Sequence, residues 1–212
     1  MGEGVEVEVQ RLEEEVSKDN ESYKNHNTSF ISTDRNTITR YDFEILNHHE
    51  AIVYTDTLEC PMKVIEEFLF YSGFISLIRN QKQQIIYQQP PKHIMKLEIA
   101  RIQPSQLYIN EEKLRRLLTW IKEPKDIIVP VIYYANQYVL IDGHTRLKAA
   151  ELLGFHKIYA YIDEWEDCIE DFIHFCHEEN KYTISDLPII SKNDYQMKWC
   201  DFCKKYFASK KD

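Results

Sequence analysis

The segment that most constrains this chain is Tyr138-Val-Leu-Ile-Asp142-Gly143-His144-Thr145-Arg146-Leu-Lys-Ala-Ala-Glu-Leu-Leu-Gly154. A short apolar run ends in an acid, a glycine follows, and a helical pattern starts at once. The spacing predicts a buried strand over 138–141, an abrupt turn at Gly143, and a helix from Thr145 to Leu153 closed by Gly154. Glycine is scarce, with five in 212 residues, well below the usual share of about 7%. Each one therefore needs a backbone reason, and two of the three in the body of the chain bracket this helix; the third, Gly73, stands where a helix of its own would end.

A strand that turns straight into a helix aims the free N–H groups and positive dipole end of the helix at whatever lies before the turn. The side chains there suit an anion. Gly143 permits a positive φ or a close approach to a ligand, and Thr145 is placed to cap the helix. Arg146 can meet a phosphate with its planar fork. Asp142 is a candidate ligand for Mg²⁺ or a hydroxyl, and His144 a candidate donor to an anion or carrier of a proton. A tight connection with a solvated arginine is the plainer interpretation of the same five residues.

The surrounding pattern is α/β. Strands are expected at 95–102, 127–134 and 157–162, with Ala135-Asn136-Gln137 turning between the second strand and 138–141. Asn110 can cap a helix over 111–121. Upstream, strands at 41–46 and 51–54 precede a helix after Pro61, and a hairpin about Asn80 follows. Gln88-Gln89-Pro90-Pro91 reads as a linker. Four zones result: a polar, acidic arm over 1–40 in which Val5, Val7 and Val9 alternate as an edge strand, a small α+β subdomain over 41–91, a core over 92–162, and a helical extension over 163–212.

The order strand, helix, strand, strand, Asp-Gly-His-Thr-Arg, helix, strand across 95–162 resembles the ParB/sulfiredoxin-like superfamily. The signature is Gly143, Arg146 and Ala149 followed by Leu153-Gly154, with Ile102-x-Pro104 as the opening segment. The resemblance implies an α/β (α+β) core in which Gly143, His144, Thr145 and Arg146 bind the phosphates of ATP or ADP, or of CTP, with Mg²⁺ at Asp142. The wording Asp-Gly-His-Thr-Arg is most similar to the free-serine kinases of that superfamily, which implies phosphotransfer to a small hydroxyl metabolite. Asp142, His144 and Glu112 would then be catalytic; the family's basic glutamate lies near the first helix, where Ser105-Gln106-Leu107 stands here and Glu111 and Glu112 are the nearest acids. His144 occupies the place of the sulfiredoxin cysteine, which argues against sulfinic-acid reduction. The partition proteins usually carry Gly-Glu-Arg-Arg at this turn. A non-enzymatic regulatory or partition-type protein is the alternative, and the resemblance allows a homodimer.

Charge bears on the partner. The formal total is −9, yet residues 96–162 hold ten basic against seven acidic groups, while 163–212 hold seven against twelve. A surplus of three suits one or two phosphates, and an acidic C-terminal block argues against a DNA footprint. Membrane attachment is not expected, because the most apolar window, 68–78, is short and broken by Ser72 and Gly73. The N-terminus shows no leader pattern, and five cysteines, an odd number, suit a reducing cytoplasm. Cys200-x-x-Cys203 with His174, Cys176 and His177 is a candidate zinc or redox set, and packing of these cysteines inside helices is its plainer interpretation.

Overall fold

The computed structural model describes residues 8–12, 29–34, 37–57, 59–164 and 167–210. They divide into two units, one up to His93 and one from Ile94.

The first unit is a six-stranded sheet in sequence order: β1 (Glu8–Arg11), β2 (Ser29–Asp34), β3 (Thr37–Ile45), β4 (Glu50–Thr55), β5 (Leu77–Asn80) and β6 (Ile85–Gln88). Every pair is antiparallel except β4 with β5, which are joined by the helix α1 (Met62–Tyr71). Helical spacing places Val64, Ile65 and Phe68 on the buried face of α1, where Phe68 stacks on Phe43 at 4.1 Å. The segment set apart above as an arm behaves differently where it is described. Phe30 is buried, and β2 pairs with β3 along its whole length. Val5 and Val7 lie outside the described residues, and Val9 belongs to β1. Gly73 is no left-handed cap, since Ser72 closes α1 and the positive-φ glycines among the described residues are Gly143 and Gly154.

The second unit is built on a mixed sheet. Its strands are β7 (Ile94–Glu98), β8 (Ile102–Gln103), β10 (Ile128–Tyr134), β11 (Gln137–Leu140) and β12 (Lys157–Ile162), in spatial order β7-β12-β10-β11-β8. A two-residue strand β9 (Ile109–Asn110) leads into α2 (Glu111–Trp120), and α3 (His144–Leu152) follows β11. Ala135 and Asn136 both take positive φ, +47° and +66°, which suits the tight hairpin between β10 and β11. Strand alternation sorts the faces. Val129, Val131 and Leu140 join Leu114 of α2 and Leu147 and Ala150 of α3 in one core. Ile132 and Val139 point the other way, onto Ile169 and Ile173 of α4 (Ile169–Glu178). A single π turn, Gln196–Cys200, links the short α5 (Lys192–Tyr195) to α6 (Asp201–Ser209), and β13 (Ile189–Ile190) runs parallel to β9.

The α/β class expected from the sequence is the one observed. No described helix is long and apolar enough to cross a membrane.

Candidate functional site

The site is the junction of β11 and α3. Leu140 ends the strand fully buried, and three residues later the chain reverses at Gly143 with φ +88° and ψ 20°. A side chain there would collide with Val129 and with the Arg146 guanidinium, so the turn needs glycine for both shape and space. Gly143 takes the cap position and no side chain caps the helix. Thr145, expected as the cap, is instead the second helical residue. The first N–H groups of α3 thus lack both intrahelical partners and a side-chain acceptor, the arrangement that receives an anion.

Arg146 lies beneath the turn with its side chain 18% exposed, while that of Asp142 is 69% exposed. The guanidinium donates from NH1 to the Ile128 carbonyl at 2.9 Å and from NH2 to Asp142 Oδ2 at 2.9 Å. Two of its five N–H donors are committed to the fold. Loss of solvation raises the Asp142 carboxyl. The Arg146 charge, a bond from the Gly143 N–H and the charges of His144 and Lys113 outweigh it and hold the acid below its ordinary value. Asp142 is therefore an anion facing solvent, buttressed from below by a cation.

His144 is buried, and its Nε2 accepts the backbone N–H of Ser105 at 2.9 Å. The Ser105 hydroxyl donates to the Leu140 carbonyl at 2.6 Å. One histidine and one serine thereby fasten the loop before β9 to the strand end and the helix start. Burial drives the imidazole down to about 4, the Arg146 charge assisting and Asp142 opposing. It is neutral at pH 7, with its proton on Nδ1 and its lone pair occupied. In that setting His144 ties the Ser105 loop to the turn.

Glu112 belongs to the first turn of α2, where its Oε2 lies 3.3 Å from Lys192 Nζ. Its neighbour Glu111 pairs with Arg115 at 3.4 Å. Both acids are paired on the surface of α2. A single carboxylate, Asp142, remains to hold Mg²⁺. No group of three His, Cys, Asp or Glu able to hold a metal occurs among the described residues. One carboxylate suffices for Mg²⁺ when phosphate oxygens supply the other protein-side ligands, so Asp142 fits a phosphate-borne ion.

Residues 79–172 match the family model of the ParB N-terminal domain. Over that stretch the chain is similar to a ParB N-terminal domain. Its match reaches from β5 into α4 and takes in the whole sheet that holds the Asp142–Arg146 turn. Among solved structures, protein Atu1540 from Agrobacterium tumefaciens is similar, with 16% identity and a TM-score of 0.35 over 48% of this chain and 64% of that one. The chain thus spans less than two thirds of that protein's length. No curated protein matches it.

Several residues that shape the second unit around the turn carry no local sequence signal. Lys148 is buried in α3, where its ammonium meets the Ile184 carbonyl at 3.1 Å and Glu151 Oε2 at 2.7 Å. Tyr161, raised by burial and by Asp163, lies within the electrostatic reach of Arg146 and Asp142. The cysteine candidates sit elsewhere: Cys176 is buried and donates to the Gln106 carbonyl, and Cys168 and Cys203 pack around Phe172 and Trp199. His177 contacts Gln103 and His174 contacts Glu178. These side chains hold α4 and α6 in place.

Proposed function

We propose that this ParB-like domain binds a nucleotide by its phosphates in front of the Asp142–Arg146 turn. The observation that carries this reading is the uncapped start of α3 behind a left-handed Gly143, with the Arg146 guanidinium directly beneath it. A phosphoryl group placed there accepts from the first-turn N–H groups and from the remaining Arg146 donors, and meets the positive end of the helix. Asp142 stays ionised and would hold Mg²⁺ bound to the phosphates. The ion, when present, supplies charge neutralisation across the phosphoryl oxygens. Ser105 and His144 keep the turn rigid, so the donors need no rearrangement on binding.

The finer reading is phosphotransfer from ATP or ADP to a small hydroxyl metabolite such as free serine, with Asp142 orienting the acceptor hydroxyl. A second reading, a nucleotide-bound regulatory protein without turnover, draws on the commitment of His144 to Ser105 and of Glu112 to Lys192. Calorimetric titration of ATP, ADP and CTP with Mg²⁺ into wild type and Arg146→Ala tests the shared premise. Saturable binding lost by roughly a hundredfold in the variant is expected for a guanidinium that both holds the turn and meets the phosphate. Equal affinity in the two proteins removes the reading. Consumption of nucleotide with serine selects the kinase, and binding without consumption selects the regulator.

A further inference from the structure

Both partners of the His144–Ser105 bond are held from behind by one stretch of chain, residues 176–188, which lies beyond the end of the family match at 172. On the α3 side the hold is Lys148. It stands one helical turn on from His144, so the two share a face, and both are buried. Lys148 Nζ donates to the Ile184 carbonyl at 3.1 Å and to the Ser185 carbonyl at 3.4 Å. The Ser185 hydroxyl donates to Glu151, the ion-pair partner of Lys148. On the Ser105 side the hold is Gln103. Its buried amide donates to the Lys181 carbonyl at 3.0 Å, and its Oε1 lies 3.2 Å from His177 Nε2. The Cys176 thiol donates to the Gln106 carbonyl at 3.5 Å, and the Ile109 N–H to the Pro188 carbonyl at 2.9 Å.

A buried ammonium is costly, and packing alone is served better by an aliphatic side chain. Lys148 directs its donors instead to backbone carbonyls far along the chain, which fixes where that stretch sits. The stretch also keeps its own shape. Asp186 accepts from the Tyr182 and Thr183 N–H groups at 3.0 and 2.8 Å and from the Thr183 hydroxyl at 3.0 Å. A loop closed on itself in this way moves as a body. Lifting it frees Lys148 and Gln103 together, and so loosens both the helix that carries His144 and the loop that carries Ser105. Those two residues position the head of α3, and donors bind best when they are already in place.

We infer that residues 176–188 are a brace that regulates the ligand site: nucleotide affinity is high with the brace docked and falls when it lifts, through Lys148 and Gln103 as positioning residues. This rests on the phosphate reading of the turn and adds to it a control element outside the family match. Linkage makes the coupling reciprocal, so a bound nucleotide holds the brace down by the same factor.

Calorimetry and amide hydrogen exchange on the full chain, with ADP and Mg²⁺, test the brace. Lys148→Met and Gln103→Leu keep most of the side-chain volume and remove the donors. Each is expected to weaken ADP roughly three- to thirtyfold, the range of coupling carried by residues remote from a ligand. Gly154→Ala strains the end of α3 at a place where an added Cβ meets nothing within 4 Å. It should bind ADP as wild type does, which separates coupling from a general loss of stability. In wild type, saturating ADP should slow exchange of the Ile109 amide, whose bond to Pro188 breaks when the brace lifts. Unchanged ADP affinity in both variants, with faster Ile109 exchange, overturns the brace alone, as does an equal loss of affinity in Gly154→Ala. Ile109 exchange in wild type that saturating ADP leaves unaltered overturns it too, whether or not the variants fold. No binding by wild type, or an affinity that Arg146→Ala does not change, overturns the phosphate reading and the brace with it.

Discussion

Gly143 and Gly154 bracket the same helix, and replacing each by alanine separates two physical costs. Both take positive φ, +88° and +76°, and a residue with a Cβ pays about 1–2 kcal/mol for that conformation. Their surroundings differ. A Cβ on Gly143 would lie 2.8 Å from Val129 Cγ1 and 3.0 Å from Arg146 Nε and NH2, whereas one on Gly154 would meet nothing within 4 Å. Val129 is fully buried and Arg146 is tied to Ile128 and Asp142, so neither can withdraw. Overpacking of this kind adds about 1–3 kcal/mol. Gly143→Ala should therefore cost roughly 2–5 kcal/mol and Gly154→Ala roughly 1–2 kcal/mol. All three tryptophans, Trp120, Trp165 and Trp199, follow Ile94 in the sequence, where the second unit begins, so urea unfolding followed by their fluorescence reads the relevant region. A midpoint shift for Gly143→Ala equal to or smaller than that for Gly154→Ala, at unchanged slope, refutes the steric argument. It would mean that the turn has slack, and a turn with slack is a poor phosphate cradle.

Two further outcomes follow from buried polar groups near the turn. The His144 imidazole sits at about 4 in the fold against about 6.5 unfolded. Below 6.5 the unfolded chain takes up a proton that the native one refuses, so the stability lent by neutral His144 is complete above pH 6.5 and lost as pH falls toward 4. The full change is roughly 3 kcal/mol. The stability gap between wild type and His144→Asn should shrink by about that much across the window, and a constant gap argues against a neutral, buried imidazole. Lys148→Met keeps the stem but strands the Ile184 carbonyl and Glu151, at a cost of about 2 kcal/mol. Limited proteolysis should then quicken around residues 183–187, and unchanged cleavage there would show that Lys148 does not anchor that segment.

What the sequence discloses about this molecule is what neighbours along the chain decide. Strand β11, the Gly143 turn and α3 are legible because an apolar run, a glycine and a helical period adjoin. The Asn110 cap and the tight turn at Asn136 are legible for the same reason. The contact of His144 with Ser105 is hidden because the two stand 39 positions apart, and a histidine at a helix start looks alike whether it meets a ligand or a loop. Lys148 reads as a solvated helical lysine until Ile184 and Ser185 arrive over it. The strands before residue 40 hide among polar residues because β2 draws its register from β3 and its burial from Phe30 and Ser32, a pattern short enough to pass for a tail. Lys192 carries no motif, and the β9–β13 pairing brings it to Glu112 at the start of α2.

Amide chemical shifts of the isotope-labelled protein during titration with ADP and Mg²⁺ locate the ligand without relying on activity. The largest saturable shifts should fall on the N–H groups of Gly143, His144, Thr145 and Arg146. Saturable binding that leaves the amides of 143–146 unmoved would place the nucleotide elsewhere and take the phosphate site away from the head of α3.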